Sequence, residues 1–417
     1  MPRLHTQTMG PKPRFFLTVF LLSLFLYMPI CLGGEKIETF IIGIPAFMDE
    51  LARIFDYEPL VTYQTLIMRS IVFDSVEDNM KLIRLYFPRD YEGMKKYDLI
   101  LLTSVEYNLL TNKQDKWIYD AIREGSSGIN DGSVFSIMAP ISTVWANSQA
   151  ARAFPNDAQK VDTLNWRSSA PYRIIINREH PEPILTPFIP LGGEITQAGG
   201  TNMVIAKEGA YVLAWNEGTF ASRTDWVVNW DYENGRTVTM GGWLGTAWFG
   251  FPGRESEFQY SLEAFMNVIF WLTKRPLIDD IEVFHRVKTS FDEYRSRLGV
   301  LISLRDFIDK FGANTQKVQN EIEKLQSKYD EASDLYLDSL FVESEGIIRE
   351  GLALFPESED IARREKDAAL LWVYVIEWLV ASSTLFFSGF ILWTLMVKRR
   401  LYREVEVTRL DEYRERG

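Results

Sequence analysis

The stretch YDLILLTSVEYNLLTNKQDKWIYDAIREGSSGINDGSVFSIMA, residues 97–139, decides the fold. Its first part, DLILLTSV (98–105), is a continuous apolar run, the pattern of a central strand covered on both faces. NKQDKWIYDAIREG (112–125) then places Trp117, Ile118, Ala121 and Ile122 on one helical stripe and ends on Gly125 as a C-cap. VFSIMA (134–139) reads as the next strand. Between helix and strand lies a loop rich in glycine and serine, whose backbone amides could form an anion nest. A phosphate loop, however, follows a strand and opens a helix with a lysine, and here the order is reversed. Gly125 as cap, Gly128 near the turn, and Asn130, Asp131 and Gly132 as turn residues account for the composition structurally.

Working outward, TFIIGI (39–44) and LVTYQTLIM (60–68) read as strands and DNMKLIRLYF (78–87) as a helix. Further on, APYRIIIN, MVIAKEGAYVLAW and DWVVNWDYENGRTVTMGGW suggest an added β-rich half, closed by the helix FQYSLEAFMNVIFWL (258–272). Asn234 and Gly235 between two strand-like runs signal a hairpin. The expected fold is α/β: a flavodoxin-like parallel sheet between helices with that added half, over residues 35–275. Residues 276–370 are charged with apolar positions three and four apart, which predicts an α-helical hairpin or small bundle as a stalk. FGANT (311–315) is its expected turn and Pro356 an expected break. A coiled-coil dimer is the alternative, against which the heptads are irregular.

Two apolar segments place the chain at a membrane. Residues 1–34 carry Arg3, Lys12 and Arg14, an apolar run from Phe15 to Met28, then Gly33 and Gly34: a signal peptide, or else an uncleaved anchor of the same topology. Ile30 before Cys31 speaks against lipidation there. WLVASSTLFFSGFILWTLMV (378–397) has no formal charge and suffices to span a hydrocarbon layer of roughly 30 Å. It lies in a segment of residues 371–397 that includes an outer interfacial turn with Trp372, Tyr374 and Trp378. Lys398, Arg399 and Arg400 follow, so residues 398–417 are expected in the cytoplasm and the large N-terminal part outside. Glu377 falls at the outer interface, where it stays hydrated. Within the span, Thr384 and Ser388 have small-xxx-small spacing, which permits association with another membrane protein.

Composition removes several chemistries. Cys31 is the only cysteine, so residues 35–417 contain no disulfide, thiolate nucleophile or cysteine metal site. A net charge of -12 argues against nucleic acid as partner. No cofactor and no metal site is expected.

The run YDLILL (97–102), a helix ending in GSSG, the strand VFSIM, HPEPI (180–184) and NGRTVTMGGWLGTAWF (234–249) before a helix ending IFWL together resemble the ThuA-like branch of the class I glutamine amidotransferase-like fold. The resemblance covers about 240 residues and rests on the order of the motifs. The segment KDAALLWVYVIEWLVASSTLFFSGFILWTLMVKRRLYREV is similar to the C-terminal anchor of prokaryotic membrane proteins built on this plan. Amidotransferases of the fold resemble one another in using a cysteine on a strand-to-helix elbow, with a histidine base oriented by a glutamate. After VFSIM this chain has Met138, Ala139 and Pro140, and no cysteine follows. The resemblance therefore implies the fold without amidotransfer.

Ligands of open α/β sheets bind beyond the carboxyl ends of the strands. That edge is expected to hold Pro45, Ala46 and Phe47, then Ser104, Glu106 and Tyr107, then Pro140, Ser142 and Thr143. Glu106 is either a solvated acid or a group that accepts sugar hydroxyls; a glycosidase would need a second acid. His180, before Pro181, is either a turn histidine or a general base, and His285 is expected to be interfacial or exposed. Trp215, Trp226, Trp230, Trp243 and Trp248 lie within 34 residues; Trp243 and Trp248, flanked by glycines, are candidate sugar platforms or ordinary core. Three functions follow: a membrane-tethered extracytoplasmic binding module with a catalytically degenerate domain, a hydrolase of carbohydrate or another polar substrate using Glu106 or His180, and a structural subunit of a membrane complex.

Overall fold

The computed structural model describes residues 34–43, 55–56, 58–68, 75–103, 105, 107–130, 145–157, 166–167, 172–197, 201–202, 204–218, 221–241 and 258–414. Two compact units divide the chain, Met1–Thr289 with Glu331–Glu345, and Ser290–Asp330 with Gly346–Gly417.

In the first unit β1 (Ile37–Gly43) pairs in parallel with β2 (Val61–Ile67) on one side and β3 (Leu99–Thr103) on the other. All five residues of β3 are buried, as the unbroken apolar run demands. Helix α1 (Val76–Tyr86) starts at Ser75, whose side chain accepts from the Asp78 amide, and the one-turn α2 (Tyr91–Met94) leads into β3. Helix α3 (Asn112–Glu124) opens with a capping box, Thr111 and Gln114 each satisfying the other's backbone amide, and closes at Gly125 with φ 137°.

The next strand is not where the apolar run VFSIMA suggests. β4 is Ser127–Asn130, fully buried and parallel to β3, so Gly128 and Asn130 are strand residues and not turn residues. Space explains the disguise. A Cβ on Gly128 would lie 2.9 Å from the Phe154 ring and 3.1 Å from Ile122, so the strand must be small there and lacks an apolar signature. Residues 134–139 lie outside the described residues. The chain continues from β4 into Asp131, and no cysteine follows Cys31 in the sequence.

The β-rich half extends the same sheet. After β5 (Trp166–Arg167), β6 (Tyr172–Ile176), β7 (Thr196–Gln197) and β8 (Thr201–Asn202) come β9 (Tyr211–Gly218), β10 (Ala221–Tyr232) and β11 (Gly235–Met240). The order is β2-β1-β3-β4-β11-β10-β9-β6-β7, with β5 and β8 forming a separate pair. β11 is parallel to β4 and antiparallel to β10, so it joins a parallel half to an antiparallel half. The hairpin turn consists of Glu233 and Asn234, with Gly235 already paired to Tyr232. Glycine is needed at 235 for approach: a Cβ would lie 2.1 Å from the Ile122 carbonyl oxygen and 2.4 Å from that of Ser126. Its neighbour Arg236 points to the opposite face, donating to the Trp271 carbonyl at the end of α4 (Ser261–Leu272). Helices therefore cover both faces of β11, the layered α/β arrangement.

Three further helices follow: α5 (Ile281–Lys310), α6 (Gln316–Leu337) and α7 (Phe341–Arg414). FGANT is the turn between α5 and α6, with Gly312 at φ 68°. A second break, at residues 338–340 with Ser339 at φ 63°, divides what the periodicity presents as one helix. Pro356 breaks nothing and sits inside α7. An interior proline costs about 3 kcal/mol, and contacts on either side of it offset that: Phe355 is fully buried, and the Ser358 hydroxyl donates to Glu321 at 2.9 Å. In this second unit Tyr294 donates to the Leu325 carbonyl and lies edge-on to Phe355 across Gly351, where a Cβ would meet the tyrosine ring at 2.5 Å. Arg297–Glu359 and Lys317–Glu365 ion pairs join α5 and α6 to α7 at 2.9 and 2.6 Å.

One helix among the described residues is long and apolar enough to cross a membrane, and its apolar window buries nothing within the fold. Trp378, Phe386 and Trp393 are 76%, 79% and 61% exposed, where a water-soluble bundle would turn such rings inward. The Thr384 and Thr394 hydroxyls donate to Val380 and Phe390 carbonyls at 2.8 Å, so both are satisfied inside the helix.

Candidate functional site

The strand order turns back between β1 and β3, which makes their carboxyl ends the switch point of the parallel half. The two strands close tightly there: a Cβ on Gly43 would lie 1.7 Å from the Thr103 carbonyl oxygen. Phe47 comes after β1, Ser104 and Glu106 after β3, Ser142 after β4, and Trp243 and Trp248 after β11; all lie outside the described residues, as do Pro45, Ala46, Pro140 and Thr143.

Tyr107 is described. Its side chain is 4% exposed, packs edge-on to Trp145 and donates to Asp115 Oδ1 at 2.6 Å. Asp115 also accepts from the Gln149 and Ala150 amides at 2.8 and 2.9 Å, capping the short helical turn at Ala150–Arg152. Burial and the neighbouring carboxylate hold the Tyr107 phenol well above its ordinary pKa. The structure thus joins Tyr107, Asp115 and the 149–150 segment into one buried hydrogen-bonded brace.

His180 is engaged at both ring nitrogens. Nδ1 lies 2.8 Å from the Glu182 carbonyl oxygen and 3.1 Å from its amide nitrogen, and Nε2 lies 3.1 Å from Asn229 Oδ1 on β10, a residue 2% exposed. Its ring meets Tyr211 edge-on. Through these contacts the imidazole pins the HPEP turn to the antiparallel half of the sheet.

Of the clustered tryptophans, Trp226 is completely buried. The Arg223 guanidinium covers Trp215 at 3.5 Å from the ring centroid, and the Lys207 ammonium lies 5.4 Å from that of Trp230. These two rings therefore present a face to a cation of the chain itself.

Sequence reasoning missed a charged cluster on α4 and α5. His285 is not simply exposed: its Nδ1 lies 3.0 Å from Glu263 Oε1, with side chains 27% and 2% exposed. Tyr260 packs edge-on to the imidazole, and Gln259 Nε2 lies 3.4 Å from its Nε2. One turn on, Lys288 Nζ pairs with Glu58 Oε2 at 2.8 Å, both nearly inaccessible to solvent. Pairs separated by 22 and by 230 positions leave no local spacing to notice; the acids at helix-start or loop positions read as solvated charges. Chemically, a carboxylate that orients a histidine can support proton transfer.

The Glu263 hydrogen bond raises the His285 pKa above its ordinary value, against opposing burial and the Lys288 charge. A raised folded-state value means that the pair stabilises in full below the unfolded value, near 6.5, and that this contribution is lost as pH rises through the folded value. The melting temperature of His285→Ala is accordingly expected to fall further below wild type at pH 6 than at pH 8.5. An equal gap at both pH values would show that the imidazole contributes by packing alone.

A cavity of about 300 Å³ opens at the amino ends of β1, β3 and β4, opposite the expected edge. Asp98 and Arg275 line it, and Lys95 pairs there with Glu124 at 3.1 Å. Burial raises the Asp98 pKa although the Glu38 amide and Arg275 favour its charge, and burial lowers that of Arg275. Among the described residues no group of three or more histidine, cysteine, aspartate or glutamate side chains could hold a metal ion.

No family model matches the chain, and no curated protein does. Solved structures similar to it include a cytoplasmic protein from Salmonella typhimurium, 14% identical, with TM-score 0.41 over 56% of this chain and 98% of that one. A ThuA-like protein from Parabacteroides merdae is 13% identical, with TM-score 0.38 over 59% and 93%. A carbohydrate deacetylase is 11% identical, with TM-score 0.35 over 58% and 33%. The α/β assignment stands on the strand order itself.

Proposed function

We propose that the chain is a membrane-anchored, extracytoplasmic binding module: an α/β domain that resembles the ThuA-like group, tethered through α7 and recognising a polar ligand at the carboxyl edge of its sheet. The observation that carries the tether is the unburied apolar length of α7 ending in Lys398, Arg399 and Arg400. Support for binding over hydrolysis comes from the commitments of the candidate groups. Both nitrogens of His180 serve a turn, Tyr107 serves a brace, and residues 35–417 have no cysteine.

A carbohydrate is the ligand class that suits glycine-flanked tryptophans and the lone Glu106. The solubilised full chain is expected to bind members of a glycan array, and Trp243→Ala to weaken that binding at least tenfold. Failure to bind any glycan would remove the carbohydrate ligand, and unchanged binding in Trp243→Ala would move the site elsewhere.

A further inference from the structure

Gly34 is held at a position that suits a chain terminus better than the middle of a chain. Its backbone nitrogen donates to Asp338 Oδ1 at 2.7 Å. A Cβ at this position would lie 2.0 Å from the Leu337 carbonyl oxygen, so only glycine fits. Leu337 is the last residue of the 22-residue helix α6; the carbonyls of Asp334, Leu335 and Tyr336 accept from the Asp338, Leu340 and Ser339 amides, and that of Leu337 lies beside Gly34. A carboxylate and the Leu337 carbonyl thus lie beside Gly34, whose nitrogen as an amide carries a single hydrogen and no charge. An ammonium there would carry three hydrogens and a full positive charge, and both neighbours favour it.

The sequence before Gly34 supplies the matching processing signal. Cys31-Leu32-Gly33 puts small residues at the first and third positions before the Gly33–Gly34 bond, behind the basic and apolar regions. Cutting one residue later would put Leu32 at the third position, which is large.

We propose that a membrane-bound signal peptidase hydrolyses the Gly33–Gly34 bond and that the α-ammonium so created docks on Asp338 at the carboxyl end of α6. Water supplies the hydroxyl that leaves with Gly33 as a carboxylate; the Gly34 nitrogen takes up protons and becomes the ammonium. The released terminus then locks the entry to β1, because Glu35 accepts from Arg275 through its carbonyl and Ile37 donates to Leu60 at 2.7 Å. The inference rests on the exported topology proposed above.

Mass spectrometry of the membrane-extracted protein is expected to find a free amine on Gly34. A different start, or an intact leader, overturns the inference; labelling of Glu208→Cys in a Cys31→Ser background by an impermeant maleimide on intact cells then shows whether the exported topology still stands. In the mature protein Asp338→Asn is expected to lower the melting temperature by roughly 2–4 °C. Gly34→Ala, which keeps a small residue after the cut, should give a similar loss, and the double variant no more than either alone. Blocking the cut with Gly33→Tyr should reduce the Asp338→Asn effect to less than half. An equal effect in cut and uncut chains overturns the docking of the ammonium.

Discussion

Lys288→Met is expected to destabilise the first unit by about 3–5 kcal/mol, since removing one member of a buried ion pair leaves the other's charge uncompensated. Lys288 and Glu58 are 5% and 0% exposed and 2.8 Å apart, with the Phe284 ring beneath the ammonium at 5.4 Å. Glu58→Gln should carry a comparable penalty for the mirror-image reason. Combining the two should recover most of the loss, because neutral, well-packed replacements of a buried pair are often close to wild type. Denaturant unfolding of the solubilised chain reads all three. Additive losses in the double variant would mean that the two charges are solvated separately and that the pair does not join α5 to the segment before β2.

The second large effect concerns the span. Leu385 and Leu392 lie two turns apart on α7, 75% and 57% exposed. Aspartate at the centre of a membrane helix costs about 2.5–3.5 kcal/mol, so Leu385→Asp/Leu392→Asp should lose about 5–7 kcal/mol of insertion free energy. The expected result is a chain released from membranes by alkaline carbonate, where wild type stays in the pellet. Retention of the double variant with its leader removed would show that the anchor lies outside α7.

Much of this architecture is legible in the sequence where one physical cause dominates. DLILLTSV announces β3 because a strand buried on both faces must be apolar throughout, and Gly125 announces the end of α3 through capping chemistry. Legibility fails where packing overrides composition. Ser-Gly-Ile-Asn forms β4 because Phe154 and Ile122 leave no room for larger residues, so the central strand looks like a loop. Asp338, Ser339 and Leu340 are unremarkable to a helical pattern yet break it, while Pro356 should break it and does not. The site fares similarly. His180 was recognisable as a turn residue from the following proline, but its bond to Asn229 crosses 49 positions. Glu263 and His285 meet only because α4 and α5 pack together, and nothing in their local sequence signals it.

In the proposed topology the α/β domain faces outward and the tail beyond Arg400 faces the cytoplasm. With Cys31 replaced by serine no other cysteine remains in the chain, so single thiols placed in residues 35–417 report their own compartment. Intact cells carrying Glu208→Cys or Tyr402→Cys, treated with an impermeant maleimide, test it most directly. Labelling of Glu208→Cys on intact cells, and of Tyr402→Cys only after permeabilisation, is the predicted result. Labelling of Tyr402→Cys on intact cells with Glu208→Cys protected would contradict it.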